Sequence, residues 1–265
     1  MTSEERLRSR AEELLAYDLA VCAWLEGIES SKRGGEIPFT APPVSASNSD
    51  EASRMTLAGF DEAGRGSLAG PVAVACVHID LGSTGRSLFA SGLAEDLAGV
   101  DDSKRMSAAR RDRLYDRITK RAAWGVGCSS ADEIDRVGIV AACRIAARRA
   151  YRNLGIVVEV GAFDRGLSLR EPVGVAKSEE DFLREVTATG ADALSLHVAC
   201  ASIIAKVTRD RIMCRLSDVF GGYGLERHKG YGTAAHREAI RTFGPTRIHR
   251  RTFTRGCEGA KSQSC

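Results

Sequence analysis

The sequence predicts an α/β protein, a mixed sheet with helices on both faces, and three observations point there. From residue 56 onward, apolar runs of strand length alternate with stretches of helical periodicity. Residues 156–163 are apolar with few polar positions, as expected of a strand covered on both faces. A chain of 265 residues with 43% apolar content is also long enough for one sizeable domain plus an appendage, or for two small domains.

The elements follow in order. Residues 4–28 set Leu7, Ala11, Leu14, Leu15, Leu19, Cys22, Ala23 and Leu25 at helical spacing among acids and arginines, which predicts one amphipathic helix whose partner the pattern does not name. Gly34-Gly35, Pro42-Pro43 and a Ser/Asn-rich tract then have linker composition. The expected organisation is therefore a helical extension over 1–31, a linker over 32–54, the main domain over 55–255 and a tail over 256–265. Residues 56–60 and 72–79 read as strands joined by a glycine-rich loop. Residues 107–121 read as a helix capped by Ser107, and 122–128 as a strand. Helices are expected over 131–136 and 139–154, a strand over 156–163, a long helix over 198–219 and another over 233–242.

Bulk charge excludes little, because the net value is only +3. Its distribution says more: residues 203–255 hold twelve Lys or Arg against four Asp or Glu, while residues 1–55 hold six against ten. A basic carboxyl-terminal quarter suits a polyanionic partner. Eight cysteines without a C-x-x-C pair read as reduced packing residues or tail thiols, not a zinc site or a disulfide frame. With a charged amino terminus and no apolar run of membrane-spanning length, the expectation is a cytoplasmic protein with no membrane partner.

The chemistry concentrates in the run from Leu57 to Pro71, LAGFDEAGRGSLAGP. A lone Asp-Glu pair is usually a solvated turn. Here an apolar strand delivers Asp61 and Glu62 to its end, where adjacent charges repel unless a proton or a cation lies between them, and a divalent metal is the natural guest. Gly64 and Gly66 free the backbone on either side of Arg65 to offer N–H groups to a sugar hydroxyl or a phosphate oxygen. The strand over 156–163 aims a third acid, Asp164, outward.

Five blocks carry a family resemblance: residues 59–72; Asp102-Ser103-Lys104-Arg105-Met106-Ser107; Phe163-Asp164-Arg165-Gly166; residues 201–211, ASIIAKVTRDR; and His228-Lys229-Gly230-Tyr231-Gly232-Thr233. Taken in this order across residues 56–253, they resemble ribonuclease HII, the type 2 ribonuclease H family. The resemblance implies a ribonuclease H-like mixed sheet flanked by helices, with a helical carboxyl-terminal region. It implies a metal-dependent endonuclease that hydrolyses RNA in RNA/DNA hybrids and nicks 5′ of single ribonucleotides in duplex DNA, leaving 3′-hydroxyl and 5′-phosphate ends. The implied partners are those two nucleic acids.

The same resemblance implies a four-carboxylate set of Asp61, Glu62, Asp164 and Asp192 holding two Mg²⁺ or Mn²⁺ ions. Glu179, Glu180 and Asp181 remain rival candidates for the fourth acid, because the tract before Asp192 is longer than usual and Ala191 and Leu194 depart from the family's glycine and basic residue. Ser67 stands where a proline is usual, and Arg165 follows Asp164 in place of a glycine. Backbone groups of Gly64, Arg65 and Gly66 resemble the family's reader of the 2′-hydroxyl, and Tyr231 matches a tyrosine that stacks on the sugar of the following deoxynucleotide. Ser103, Lys104, Lys206 and Lys229 are candidate phosphate contacts, whereas Arg209 and Asp210 read as ion pairs along their helix. The five histidines show no metal spacing and are assigned no catalytic role. Ribonuclease HIII is the related alternative, but it resembles Gly-Thr-Gly where this chain has Gly64-Arg65-Gly66. A non-catalytic nucleic-acid binder on the same fold predicts missing carboxylates, and Asp61, Glu62 and Asp164 are present.

Overall fold

The computed structural model describes residues 2–26, 37–38, 55–80, 93–101, 103, 106–170 and 183–257. Lys104, Glu179, Glu180, Asp181 and, apart from residues 37 and 38, the linker over 32–54 lie outside the described residues. A six-stranded mixed sheet runs in the order β1 (Ile37–Pro38), β6 (Arg184–Ala188), β5 (Val160–Asp164), β2 (Leu57–Ala63), β3 (Val72–His78) and β4 (Ala123–Ser129). β2, β3 and β4 pair antiparallel, while β2, β5, β6 and β1 run parallel.

Helices cover both faces, as the patterning predicts. One face carries α4 (Ala131–Val137) and α5 (Ile139–Leu154), whose Ile134, Ala142, Ala146 and Ala150 pack on Phe60, Val74 and Cys76. Gly125 and Gly127 of β4 let α5 come in close: a Cβ on either would lie within 2.3 Å of a carbonyl oxygen of α5. α6 (Leu196–Val219) crosses the other face, with α1 (Ser3–Glu26) and α3 (Ala108–Arg121) beside it. The partner that the sequence does not name for α1 is α6 and its neighbours, since Ala11, Leu14 and Leu15 are buried with Leu196, Cys200 and Ile203. Buried Asp18 of α1 accepts from the backbone N–H of His197 and lies 2.7 Å from its Nδ1. The helical carboxyl-terminal region consists of α7 (Leu225–His228), α8 (Ala234–Phe243) and α9 (Arg251–Thr254), and a short α2 (Leu93–Asp96) precedes α3.

Two strand expectations change. β2 runs on to Ala63 instead of ending at residue 60, because β3 keeps pairing through Ala63↔Ala73, so Asp61 and Glu62 lie inside the strand. β5 starts only at Val160, because its neighbour begins at Leu57; Val157 lies ahead of that ladder and is 87% exposed. β6 carries no visible strand pattern in the sequence. Its inward acid, Glu185, is buried by accepting from the Leu169 N–H and the Ser168 hydroxyl.

Candidate active site

The parallel register of β2 and β5 builds the acidic site. Phe60 pairs with Phe163, their rings stacked with centroids 4.4 Å apart on the α5 face. One residue further on, alternation turns Asp61 and Asp164 together toward the opposite face, on neighbouring strands. Asp164 Oδ1 accepts from the N–H groups of Gly190 (2.9 Å) and Ala191 (3.2 Å), which ties the 3-10 turn Ala191–Ala193 to the end of β5. That turn carries Asp192, which is buried. Asp61 is buried too, hydrogen-bonded by Ser202 of α6 and by the N–H of Glu62 (2.8 Å).

Glu62 leans the other way along the strand. Its Oε1 lies 3.4 Å from Arg65 Nη1, and its charge is felt by Cys143 of α5 and by Asp61. Burial first, then the charges of Glu62 and Asp192, push the Asp61 carboxyl up to about 8. Among the described residues no group of three or more His, Cys, Asp or Glu side chains is arranged to hold a metal ion as it stands. The acids instead spend their lone pairs on Ser202, on Arg65 and on backbone N–H groups.

The glycine loop lies directly over α6. Gly64 has φ +87°, and a Cβ there would lie 1.8 Å from Arg209 Nε, so both conformation and space demand glycine. Gly66 is exposed, with open space where a Cβ would point, and Arg65 reaches across to the carbonyl of Gly166 (3.2 Å). Tyr231 is 38% exposed, with Lys206 Nζ 5.5 Å and Arg209 Cζ 5.2 Å from its ring centroid.

Lys206 also pairs with Asp210 (2.8 Å). Arg209 therefore does not form the helix-surface ion pair expected of it; it is fully buried and donates to backbone carbonyls. Ser103 is buried, its hydroxyl 2.7 Å from that of Ser202, so it braces the residue that holds Asp61 and is not open to a phosphate as it stands. Lys229 adopts φ +50°, its ammonium donating to the carbonyl of Glu226.

Two contributors carry no mark in the sequence. Arg250 is fully buried and donates to the carbonyls of Gly64 (2.7 Å), Arg65 (2.8 Å) and Gly70 (3.1 Å). Nothing in its basic surroundings marks it out from Arg251 or Arg255. His236 stands with one ring nitrogen 3.0 Å from the Tyr231 carbonyl and the other 3.2 Å from His249, which accepts from the Thr246 N–H (2.9 Å). Burial holds both imidazoles below their ordinary range, His249 down to about 4.

A mixed sheet whose two central strands run parallel and turn Asp61 and Asp164 to one face, beside a basic helical region, is of the ribonuclease H-like class. The chain belongs to the ribonuclease HII family, whose model matches residues 58–256. Ribonuclease HII of Parasynechococcus marenigrum (strain WH8102) is 44% identical over 200 residues, covering 75% of this chain and 82% of that protein. Its counterpart from Geobacter sulfurreducens is 43% identical over 199 residues, with the same coverage of each chain. Among solved structures, the ribonuclease HII of Archaeoglobus fulgidus, determined in complex with PCNA, superposes with a TM-score of 0.56 at 29% identity, covering 74% of this chain and 94% of that one. Ribonuclease H2 of Pyrococcus horikoshii does so with a TM-score of 0.54 at 25% identity, covering 77% and 97%. A ribonuclease HIII, Bst-RNase HIII, shares the fold at 19% identity with a TM-score of 0.55. The protein is thus an endoribonuclease of the family that degrades the RNA of RNA/DNA hybrids. No helix among the described residues is long and apolar enough to cross a membrane.

Proposed function

We propose that Asp61, Glu62, Asp164 and Asp192 bind two divalent ions, Mg²⁺ or Mn²⁺, and that the enzyme nicks on the 5′ side of ribonucleotides, including single ones embedded in duplex DNA. The observation that carries this reading is the β2–β5 register, which sets Asp61 beside Asp164 while Asp164 holds the turn bearing Asp192. The donor set fits hard cations, being all carboxylate oxygen with no thiolate. Burial first, then the charges of Glu62 and Asp192, raise the Asp61 carboxyl, and a divalent ion bound there would offset both costs of ionising it.

When bound, the ions supply an activated water and stabilise the departing 3′ oxygen, leaving 3′-hydroxyl and 5′-phosphate ends. Ser202 fixes the Asp61 carboxylate, and Ser103 in turn fixes Ser202. Backbone N–H groups of the Gly64-Arg65-Gly66 loop read the 2′-hydroxyl, for which the exposed, uncrowded Gly66 leaves room. Tyr231 stacks on the sugar of the following deoxynucleotide, where a ribose is crowded, and so favours an RNA-to-DNA junction. Lys206 and Lys229 contact phosphates, as does Lys104 from outside the described residues. The working compartment is the cytoplasm.

The test is a duplex DNA bearing one ribonucleotide. Nicking in Mg²⁺ or Mn²⁺, mapped to the 5′ side and abolished by EDTA, is the expected result. Asp61→Asn should bind this duplex without cutting it. Unchanged cutting by Asp61→Asn would end the metal reading.

A further inference from the structure

Two fully buried arginines lie behind the proposed substrate-reading surface, and neither forms an ion pair among the described residues. Their donors go to carbonyls. Arg209 donates from Nε to Pro71 (2.9 Å), from Nη1 to Lys229 (2.9 Å) and from Nη2 to Ala69 (3.2 Å). Arg250 donates to Gly64, Arg65 and Gly70. A fully buried guanidinium without a carboxylate is costly unless its N–H donors are satisfied, and here six backbone carbonyls, five of them from residues 64–71, converge to do so.

The Arg209 side chain fills the space over Gly64 where a Cβ would stand 1.8 Å from its Nε, while its guanidinium carbon lies 5.2 Å from the Tyr231 ring centroid. It thus separates the loop that meets the ribose from the ring that meets the next sugar. The two segments are stitched behind it, because the Leu68 N–H (2.8 Å) and the Ala69 N–H (3.3 Å) both donate to the Gly230 carbonyl. Arg250 acts on the loop alone: by occupying the carbonyls of Gly64 and Arg65, it turns the opposite edge of those peptides, the N–H edge, toward the surface.

We propose that Arg209 is a specificity-positioning residue that sets the spacing between the Gly64–Gly66 loop and Tyr231, and that Arg250 is a positioning residue for the loop alone. This rests on the reading of Tyr231 and the loop given under Proposed function. Arg209 then matters most where a deoxynucleotide follows the ribonucleotide, and Arg250 matters wherever a 2′-hydroxyl is read.

Arg209→Lys keeps the charge and loses the planar fork. Its kcat/KM on a single embedded ribonucleotide should fall about tenfold further than its kcat/KM on a long RNA/DNA hybrid. In a Tyr231→Ala background, Arg209→Lys should change that ratio no further. Arg250→Lys should lower both substrates together, and this arm stands whether or not Arg209→Lys folds. An unchanged ratio in folded Arg209→Lys, additivity with Tyr231→Ala, or a selective loss in Arg250→Lys would each overturn the proposal. Failure of the wild-type enzyme to prefer junctions at all would instead refute the Tyr231 reading on which it rests.

Discussion

Gly59→Ala tests whether the close approach of α6 to β2 builds the acidic site. A Cβ on Gly59 would lie 2.2 Å from both the His197 carbonyl carbon and the Val198 nitrogen. Carbon and nitrogen need about 1 Å more than that, and both atoms belong to the helix backbone, so no rotamer change relieves the clash. Overpacking of this kind costs about 3 kcal/mol, which for a domain of this size lowers Tm by about 6–12 °C. The helix that must move carries Ser202, which holds Asp61, so cleavage at a temperature where the variant is folded should fall about tenfold or more. Gly125→Ala is the matched control. Its Cβ would lie 2.2 Å from the Ala150 carbonyl oxygen and 2.4 Å from the Leu154 nitrogen, an equally tight contact, but between β4 and α5. Thermal melts and initial rates on a ribonucleotide-containing duplex should show a comparable Tm loss for both variants and an activity loss for Gly59→Ala alone. Equal activity in the two folded variants would refute the reasoning.

Further outcomes follow from the same geometry. Asp192→Asn should cost far more activity than Glu180→Gln in parallel rate measurements, and the reverse ranking would move the fourth acid into the 171–182 tract. Tyr231→Ala should lose activity selectively at single ribonucleotides, and an equal loss on long hybrids would reject junction reading. In EDTA, the folded protein keeps the Asp61 proton up to about pH 8 while the unfolded chain gives it up near pH 4, so the unfolded state binds fewer protons in that window and stability falls as pH rises. The Tm of wild type should therefore drop relative to Asp61→Asn between pH 5 and pH 8 in EDTA, and Mg²⁺ should remove the difference by displacing the proton. An identical pH profile for the two proteins would contradict the buried, proton-holding Asp61.

Much of this arrangement is legible in the sequence because burial on both faces writes continuous apolar strands, and because a cap such as Ser107 announces helix α3. The long helix and its Ser202, Lys206 and Arg209 spacing are legible too; these residues fall four and three apart and share one face. What stays hidden is tertiary. β6 is short and polar, and its strand character comes from partners on β5 and from the bonds that bury Glu185. The length of β2 is set by β3, not by its own apolar run. Arg209 and Arg250 look like surface cations until the carbonyls of residues 64–71 and Lys229 converge on them. Ser103 looks like a phosphate ligand until Ser202 takes its hydroxyl.

The central claim is that acids far apart in the chain share divalent ions. Anomalous scattering from crystals of the protein grown with Mn²⁺ tests it most directly. Manganese peaks ligated by Asp61 and Asp164 are expected, with Glu62 and Asp192 completing the set once Arg65 swings off Glu62. Manganese found only at other carboxylates, or no peak beside Asp61 and Asp164 at saturating Mn²⁺, would contradict it.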